Sequence, residues 1–320
     1  MHAFSNSLLQ TFKACRRKWY LGYYQQLTVK PSRRKPVGYA ELGTRVHLAL
    51  EAYYGYALDP LSVLEKVYQW AVQEYPNWAE ELDKEHDWAR TMVEGYLPWA
   101  ESTGVDAGLT IVATERIVSR ETSAPDGRPI ALVGKLDQLI RREWDGVVLG
   151  RDWKTVGTLS KADKLLRDEQ MRFYTLLQNL DAQEHGTDRS GGMLYTMLLR
   201  SKRTARAKGP FYEQVEVNFN RHDLNSMWLR TLETAQDILN VSDRLDNGED
   251  HKRVAYPNPG THCDWCPFVK VCHLADDGSR FEDALAGEYT QADPFAYYGN
   301  ELIERVVEEF AQEKDSARSE

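Results

Sequence analysis

The chain has 320 residues, of which 42% are hydrophobic, 11% aromatic and 28% charged. That composition excludes a disordered or collagen-like polymer and suits one large domain or two modest ones. Its formal net charge of −9 argues, taken whole, against a general nucleic-acid binder, which is usually basic. The charge is unevenly placed, however. Residues 1–40 contain no Asp or Glu and hold eight basic residues (Lys13, Arg16, Arg17, Lys18, Lys30, Arg33, Arg34 and Lys35), which leaves the rest of the chain at −17. No stretch approaches the roughly 18 consecutive apolar residues of a membrane span. The N-terminal charges follow the apolar runs, the reverse of a signal peptide. A cytoplasmic location without a membrane partner is expected, with thiols reduced.

In chain order, residues 5–26 read as a helix with a stripe of Leu8, Leu9, Phe12, Cys15, Trp19 and Tyr23. Lys30–Pro36 is a basic loop. Leu42–Tyr56 reads as a helix carrying His47, and helical patterning continues over 61–75 and 84–102. Three apolar, β-branched strands then follow at Thr110–Val118, Ile130–Arg141 and Val147–Lys154, separated by Pro125-Asp126-Gly127 and by Asp145-Gly146. Residues 161–181 return to helix, Gly192–Leu199 and Tyr212–Phe219 are strands, and 221–245 is a long amphipathic helix. Pro257–Gly260 ends regular structure before a cysteine cluster, and an acidic helical tail closes the chain. This order predicts an α/β (α+β) fold with a mixed sheet rather than a doubly wound one.

The chemistry concentrates in VGKLDQLIRREWDGVVLGRDWKT. Asp152 and Lys154 are two apart on one strand and share a face. A two-residue turn at 145–146 sets Asp137 opposite Lys154; a turn at 144–145 sets Asp137 opposite Asp152. Either register gathers two carboxylates and a lysine on one face. That is costly unless compensated, and a hard cation such as Mg2+ or Mn2+ does so. A solvated face with a salt bridge is the plainer reading of such a short motif.

Gly134-Lys135-Leu136-Asp137 followed by Asp152-Trp153-Lys154-Thr155 resembles the PD-(D/E)XK nuclease superfamily, in particular its RecB-like branch. Upstream, Gly43-Thr44-Arg45-Val46-His47 is similar to that branch's helical G-x-x-x-H. Downstream, Gln170-Met171-Arg172-Phe173-Tyr174 is similar to its Q-x-x-x-Y, with Gln170 and Tyr174 on one helix face. The resemblance implies a restriction-endonuclease-like core, with a mixed central sheet flanked by helices. It also implies Mg2+ or Mn2+ held by His47, Asp137, Asp152 and the Trp153 carbonyl, and catalysis by Asp137, Asp152, Lys154, Gln170 and Tyr174. Asp152 stands where many members carry Glu.

Cys263-x2-Cys266-x5-Cys272 is too tight for three unrelated thiols and points to a shared soft ion. Cys15 is the remaining cysteine, and His262 or His273 could instead complete a Zn2+ site. The surroundings of Cys15 (FSNSLLQTFKACRRKWYLGYY) resemble the N-terminal segment of a RecB-like subset that includes CRISPR-associated adaptation nucleases and nuclease subunits of helicase–nucleases. By that resemblance Cys15, Cys263, Cys266 and Cys272 hold a [4Fe-4S] cluster joining the N- and C-terminal segments.

The expected organisation is a basic segment over 1–40, a helical region over 41–105, a nuclease core over 106–245, an iron–sulfur segment over 246–280 and an acidic tail over 281–320. The expected function is a metal-dependent DNA exonuclease acting on ends or single strands in repair, recombination or processing, with a helicase or recombination protein as a further partner. Arg16, Arg17, Lys18, Arg33, Arg34, Arg200, Lys202, Arg203 and Arg206 are the expected DNA contacts. The alternatives are a non-catalytic DNA-binding or assembly subunit, against which the intact Asp137, Asp152 and Lys154 speak, and a zinc-stapled structural protein.

Overall fold

A computed structural model describes residues 2–160, 162–204, 206–299 and 301–319. The chain opens with strand β1 (His2–Ser5), and the Ser5 hydroxyl then caps helix α1 (Asn6–Ala14) by accepting the Leu8 N–H at 3.2 Å. The single helix expected over 5–26 breaks at Cys15, whose backbone is extended. The cause lies far along the chain. Arg17 N–H donates to the Tyr256 carbonyl, and the Ala14 carbonyl accepts from Asn258. A continuous helix would use both groups internally. Helix α2 (Arg16–Trp19), one π turn at Tyr20–Tyr24 and strand β2 (Leu27–Val29) follow.

Helices α3 (Tyr39–Tyr56), α4 (Pro60–Glu74) and α5 (Ala79–Thr103) lie where the apolar periodicity places them. Strands β3 (Leu109–Ser123), β4 (Pro129–Arg142) and β5 (Val148–Val156) come next. The helix expected over 161–181 is two. After α6 (Ala162–Leu165), Asp168 accepts the Gln170 N–H at 2.8 Å and starts α7 (Glu169–His185). Lys161, where that helix was expected to begin, lies outside the described residues. Then come β6 (Ser190–Leu199), β7 (Tyr212–Asn218), α8 (Arg221–Asp246), α9 (His251–Val254), α10 (Val269–Cys272), α11 (Phe281–Glu288), β8 (Tyr289–Gln291) and α12 (Glu301–Ser319).

The chain divides into two compact units, each assembled from three segments. The larger comprises Lys35–Val118, Lys135–Asn220 and Gly299–Glu320. Within it β4 pairs antiparallel with β5, β5 parallel with β6, and β6 antiparallel with β7, a mixed sheet as expected. The parallel β5–β6 step needs a crossover, which α6 and α7 supply. Helices α3 and α5 pack on the sheet face that carries Trp153, in a core with Val46, Leu50, Tyr96 and Leu198. The opposite face meets α7: a Cβ at Gly150 would stand 2.5 Å from Gln178 Nε2. Ile303 and Val306 of α12 are buried in the same core as α3, so the acidic tail is half apolar where it packs.

The smaller unit comprises Met1–Arg34, Ser119–Gly134 and Arg221–Tyr298. Here β1 runs parallel to the first half of β4, from His2 opposite Ile130 to Ser5 opposite Val133, and β2 pairs antiparallel with β8. The expected iron–sulfur staple is overturned in this unit. Among the described residues no group of three or more His, Cys, Asp or Glu side chains is placed to hold a metal ion. Cys15 is buried and Cys263, Cys266 and Cys272 are half-buried, all as free thiols. Burial pushes the Cys266 and Cys272 thiols above their ordinary range. With these thiols so placed, the [4Fe-4S] cluster, its Zn2+ alternative, assignment to an iron–sulfur branch and a fold whose terminal segments are cluster-joined are all overturned. Arg17 joins those segments instead. Its guanidinium, 1% exposed, donates to both carboxylate oxygens of Asp276 at 3.0 and 3.1 Å, to the Cys272 carbonyl at 3.1 Å and to the Ala255 carbonyl at 3.3 Å. An apolar cluster of Leu21, Phe268, Val271, Ala275, Phe281, Leu285 and Tyr289 backs it.

Candidate active site

Everything in the site belongs to the larger unit and starts from the β4–β5 hairpin. Gln138 stands opposite Arg151, Leu139 opposite Gly150 and Ile140 opposite Leu149, so the register is the one that sets Asp137 against Asp152. The loop is wider than two residues. Arg142 N–H donates to the Val147 carbonyl, Gly146 N–H to the Arg142 carbonyl, and Gly146 takes the left-handed φ of +72° that glycine tolerates. At the other end, Asp137 Oδ2 accepts the Trp153 N–H at 3.1 Å.

Two close pairs of titratable side chains lie along this edge. His47 Nδ1 is 3.2 Å from Asp137 Oδ2. Lys154 Nζ is 2.9 Å from Asp152 Oδ1. Helix α3 can bring His47 this close because its backbone approaches β5 at Gly43, where a Cβ would stand 3.4 Å from Thr155 Oγ1. From α7, Gln170 Nε2 donates to the Tyr174 hydroxyl at 3.1 Å, the i, i+4 pairing expected of the Q-x-x-x-Y motif.

The charges are strongly perturbed. Asp152 is 2% exposed and its Oδ2 has no hydrogen-bond partner. Burial pushes its carboxyl up to about 6, with the Asp137 charge adding to the rise and Lys154 opposing it. Burial works against the Lys154 ammonium, but Asp152 and Asp137 outweigh it and its pKa is raised. The same opposition acts on His47: burial lowers its pKa, Asp137 raises it, and the net shift is upward. Burial opposes ionisation of Asp137 too, yet His47 and Lys154 hold its carboxyl below the usual range.

The Mg2+ or Mn2+ centre expected from His47, Asp137, Asp152 and the Trp153 carbonyl is overturned on the same ground as the cluster: the described residues contain no group of three or more His, Cys, Asp or Glu placed for a metal. Asp137 is engaged by His47 and the Trp153 N–H, and Asp152 by Lys154, in two separate pairs.

Beneath this edge the β5 side chains of opposite parity form a rigid support. The Arg151 guanidinium lies over the Tyr54 and Trp153 rings at 5.2 and 4.9 Å. It also meets Asp106 at 2.7 Å and the Tyr96 hydroxyl and Gln214 at 3.1 Å each. Trp153 Nε1 donates to the same Tyr96 hydroxyl at 3.1 Å. Sequence reasoning missed this support, and it missed a second acidic group beside the site. Glu51 sits one turn beyond His47 and is pushed up to about 8, by burial first and by Glu115 second. Glu115, at a left-handed φ of +49° inside β3, pairs with Lys135 at 2.8 Å. The i, i+4 spacing of Glu51 from His47 and the same-face spacing of Lys135 from Asp137 are the signals that could have found this group; Glu115 has none.

The expected DNA contacts fall into two sets. Arg16, Arg17, Lys18, Arg33 and Arg34 belong to the smaller unit, and Arg200, Lys202, Arg203 and Arg206 to the larger. Arg17 is spent within the fold, and Arg16 packs over Phe12 and Tyr256 at 5.1 and 5.4 Å. Lys18 is half-buried, while Arg33 and Arg34 are exposed. Arg203 is held by the Ser201 carbonyl and hydroxyl at 2.8 and 2.6 Å and lies over Phe211 at 3.8 Å. Lys202 and Arg206 are exposed, and Arg200 is half-buried.

A hairpin that sets an Asp against D-x-K, with helix-borne His and Q-x-x-x-Y, is the arrangement that the motif resemblance implies. Residues 3–273 match the PD-(D/E)XK nuclease superfamily, and the chain belongs to it. No functionally curated protein matches the chain. Among solved structures it is distantly similar to a protein from Eubacterium rectale provisionally described as an exonuclease, at 15% identity and a TM-score of 0.46, over 83% of this chain and 87% of that one. It is also similar to SSO0001, at 14% identity and a TM-score of 0.30, over 83% of this chain and 94% of that one. Among the described residues no helix is long and apolar enough to cross a membrane.

Proposed function

We propose that this protein is a DNA exonuclease, hydrolysing phosphodiester bonds at DNA ends or in single strands, with Asp137, Asp152, Lys154, His47, Gln170 and Tyr174 as its working residues. The observation that carries the reading is Asp152: a buried carboxylate of raised basicity, with one oxygen on Lys154 and the other without a partner. Such a group is a base awaiting a donor. In this reading the attacking water donates to Asp152 Oδ2 and gives up its proton to it as the new P–O bond forms, while the bridging P–O ester bond on the opposite side of the phosphorus breaks and the departing sugar oxygen takes a proton from solvent. Lys154 keeps its proton and offsets the charge gathering on the non-bridging oxygens. His47, whose pKa Asp137 raises against the effect of burial, stands beside the same carboxylate edge. The Gln170–Tyr174 pair lines the same face and positions the strand. Exposed Lys202 and Arg206, in the same unit as these residues, suit contacts to the backbone rather than to bases, as trimming without sequence preference requires.

The test is end-labelled linear DNA, single- and double-stranded, with closed circular DNA as control, in buffers with and without divalent salts. The wild-type protein is expected to release nucleotides from linear DNA and to leave the circle intact. Lys154→Ala is expected to lose this activity. Cutting of the circle would replace exonuclease by endonuclease, and a Lys154→Ala variant as active as wild type would remove Lys154 from the mechanism.

A further inference from the structure

Arg200 is the first residue beyond β6, and its backbone N–H donates to the Val156 carbonyl at 2.8 Å. Val156 is the last residue of β5, two beyond Lys154, so Arg200 is anchored at the end of the strand that carries the proposed catalytic pair. Its guanidinium carbon lies 3.7 Å from the centroid of the Tyr39 ring, close enough to fix the planar cation against the aromatic face. Tyr39 opens α3, the helix that carries His47, and is itself 62% exposed. Gly157 adjoins the same group: a Cβ there would stand 3.4 Å from Arg200 Nη2.

Arg200 Nε and Nη1 are buried, yet neither has a hydrogen-bond partner. An arginine cannot shed its charge to relieve this, so donors left so cost free energy until an anion or other acceptor reaches them. The neighbouring Arg203 shows the contrast, since carbonyls and a hydroxyl of its own loop satisfy it.

We propose that Arg200, held in place by Tyr39, is the binding residue for a backbone phosphate of the nucleic-acid strand adjacent to the bond being cut. This rests on the nuclease reading for the identity of the strand but not for the existence of the site. A guanidinium already stacked and desolvated loses little freedom on binding, which suits it to phosphate better than a free surface lysine. Tyr39 is a positioning residue, acting through Arg200.

The experiment measures binding of a fluorescein-labelled single-stranded oligonucleotide to the whole protein by anisotropy, over a range of salt concentrations, beside a cleavage assay of the wild type. Arg200→Gln, chosen for its similar bulk, is expected to weaken binding about tenfold and to lower the salt slope by about one. Arg200→Lys should restore the slope but not the full affinity, because the charge returns without the stacked plane. Tyr39→Ala should weaken binding with the slope retained. The proposal is overturned if Arg200→Gln, folded by circular dichroism, binds with wild-type affinity and slope, or if the wild type binds no oligonucleotide. Wild-type cleavage with unchanged Arg200→Gln binding defeats the phosphate site alone. Binding that depends on Arg200 without any cleavage defeats the nuclease reading alone and supports the site.

Discussion

Arg17 in the smaller unit and Asp152 in the larger are buried to the same degree, 1% and 2% exposed, and are treated in opposite ways. Arg17 donates four hydrogen bonds to a carboxylate and two backbone carbonyls. Asp152 keeps one ion pair and leaves an oxygen unpartnered. A buried charge that is fully satisfied serves the fold. One left partly unsatisfied costs stability, which fits the catalytic role proposed for Asp152. The site therefore shows less in how deeply its charges lie than in what those charges lack.

The sharpest way to break this contrast is Asp152→Asn. It is expected to lower the cleavage rate by about 10²–10⁴-fold, the range of a lost general base, while changing folding stability by less than about 1 kcal/mol. Initial rates and urea denaturation measure the two. A large loss of stability with activity retained would make Asp152 a structural residue like Arg17. The wild-type rate should also fall as pH drops through about 6, where Asp152 takes up its proton.

Arg17→Ala is expected to do the reverse. It strands the Ala255 and Cys272 carbonyls and opens a cavity, at a cost of about 3–4 kcal/mol read from urea denaturation. A variant as stable as wild type would show that the apolar cluster around Leu21 and Phe268 holds the terminal segments unaided.

Glu51 gives a smaller and pH-dependent effect. Its folded pKa is raised to about 8, so the native state holds the proton more tightly than the unfolded chain does. That contribution is fully present below the ordinary glutamate range and is lost as pH rises towards and through 8. Wild-type stability should fall by about 2–4 kcal/mol between pH 5 and pH 9, and Glu51→Gln should flatten the profile. Parallel profiles for the two proteins would show that Glu51 is hydrated.

Much of the site is legible in the amino-acid sequence, because its signals are short-range. Strand alternation puts Asp152 and Lys154 on one face, and helical spacing puts Gln170 beside Tyr174. The cysteines show where such reasoning stops. Their spacing and the family resemblance both argue for a shared ion, but whether thiols form a ligand set depends on how segments 248 or more residues apart converge. Arg17 misleads for a similar reason. Within Arg16-Arg17-Lys18 nothing separates a surface cation from a buried one until Asp276 and the Ala255 carbonyl are in place.

Apart from the motif resemblance that led to the superfamily, the sequence by itself determined most strand and helix positions, the shared strand face of Asp152 and Lys154 and the helices bearing His47 and Tyr174. These follow from periodicities of two and 3.6 residues, which are properties of the local backbone. Only the tertiary structure decided the hairpin register, the break at Cys15, the pairing of His47 with Asp137, the unpartnered oxygen of Asp152 and the stacked Arg200. Each of these depends on burial and on partners brought in from distant segments, and a charge's cost is set by what surrounds it rather than by its neighbours in the chain.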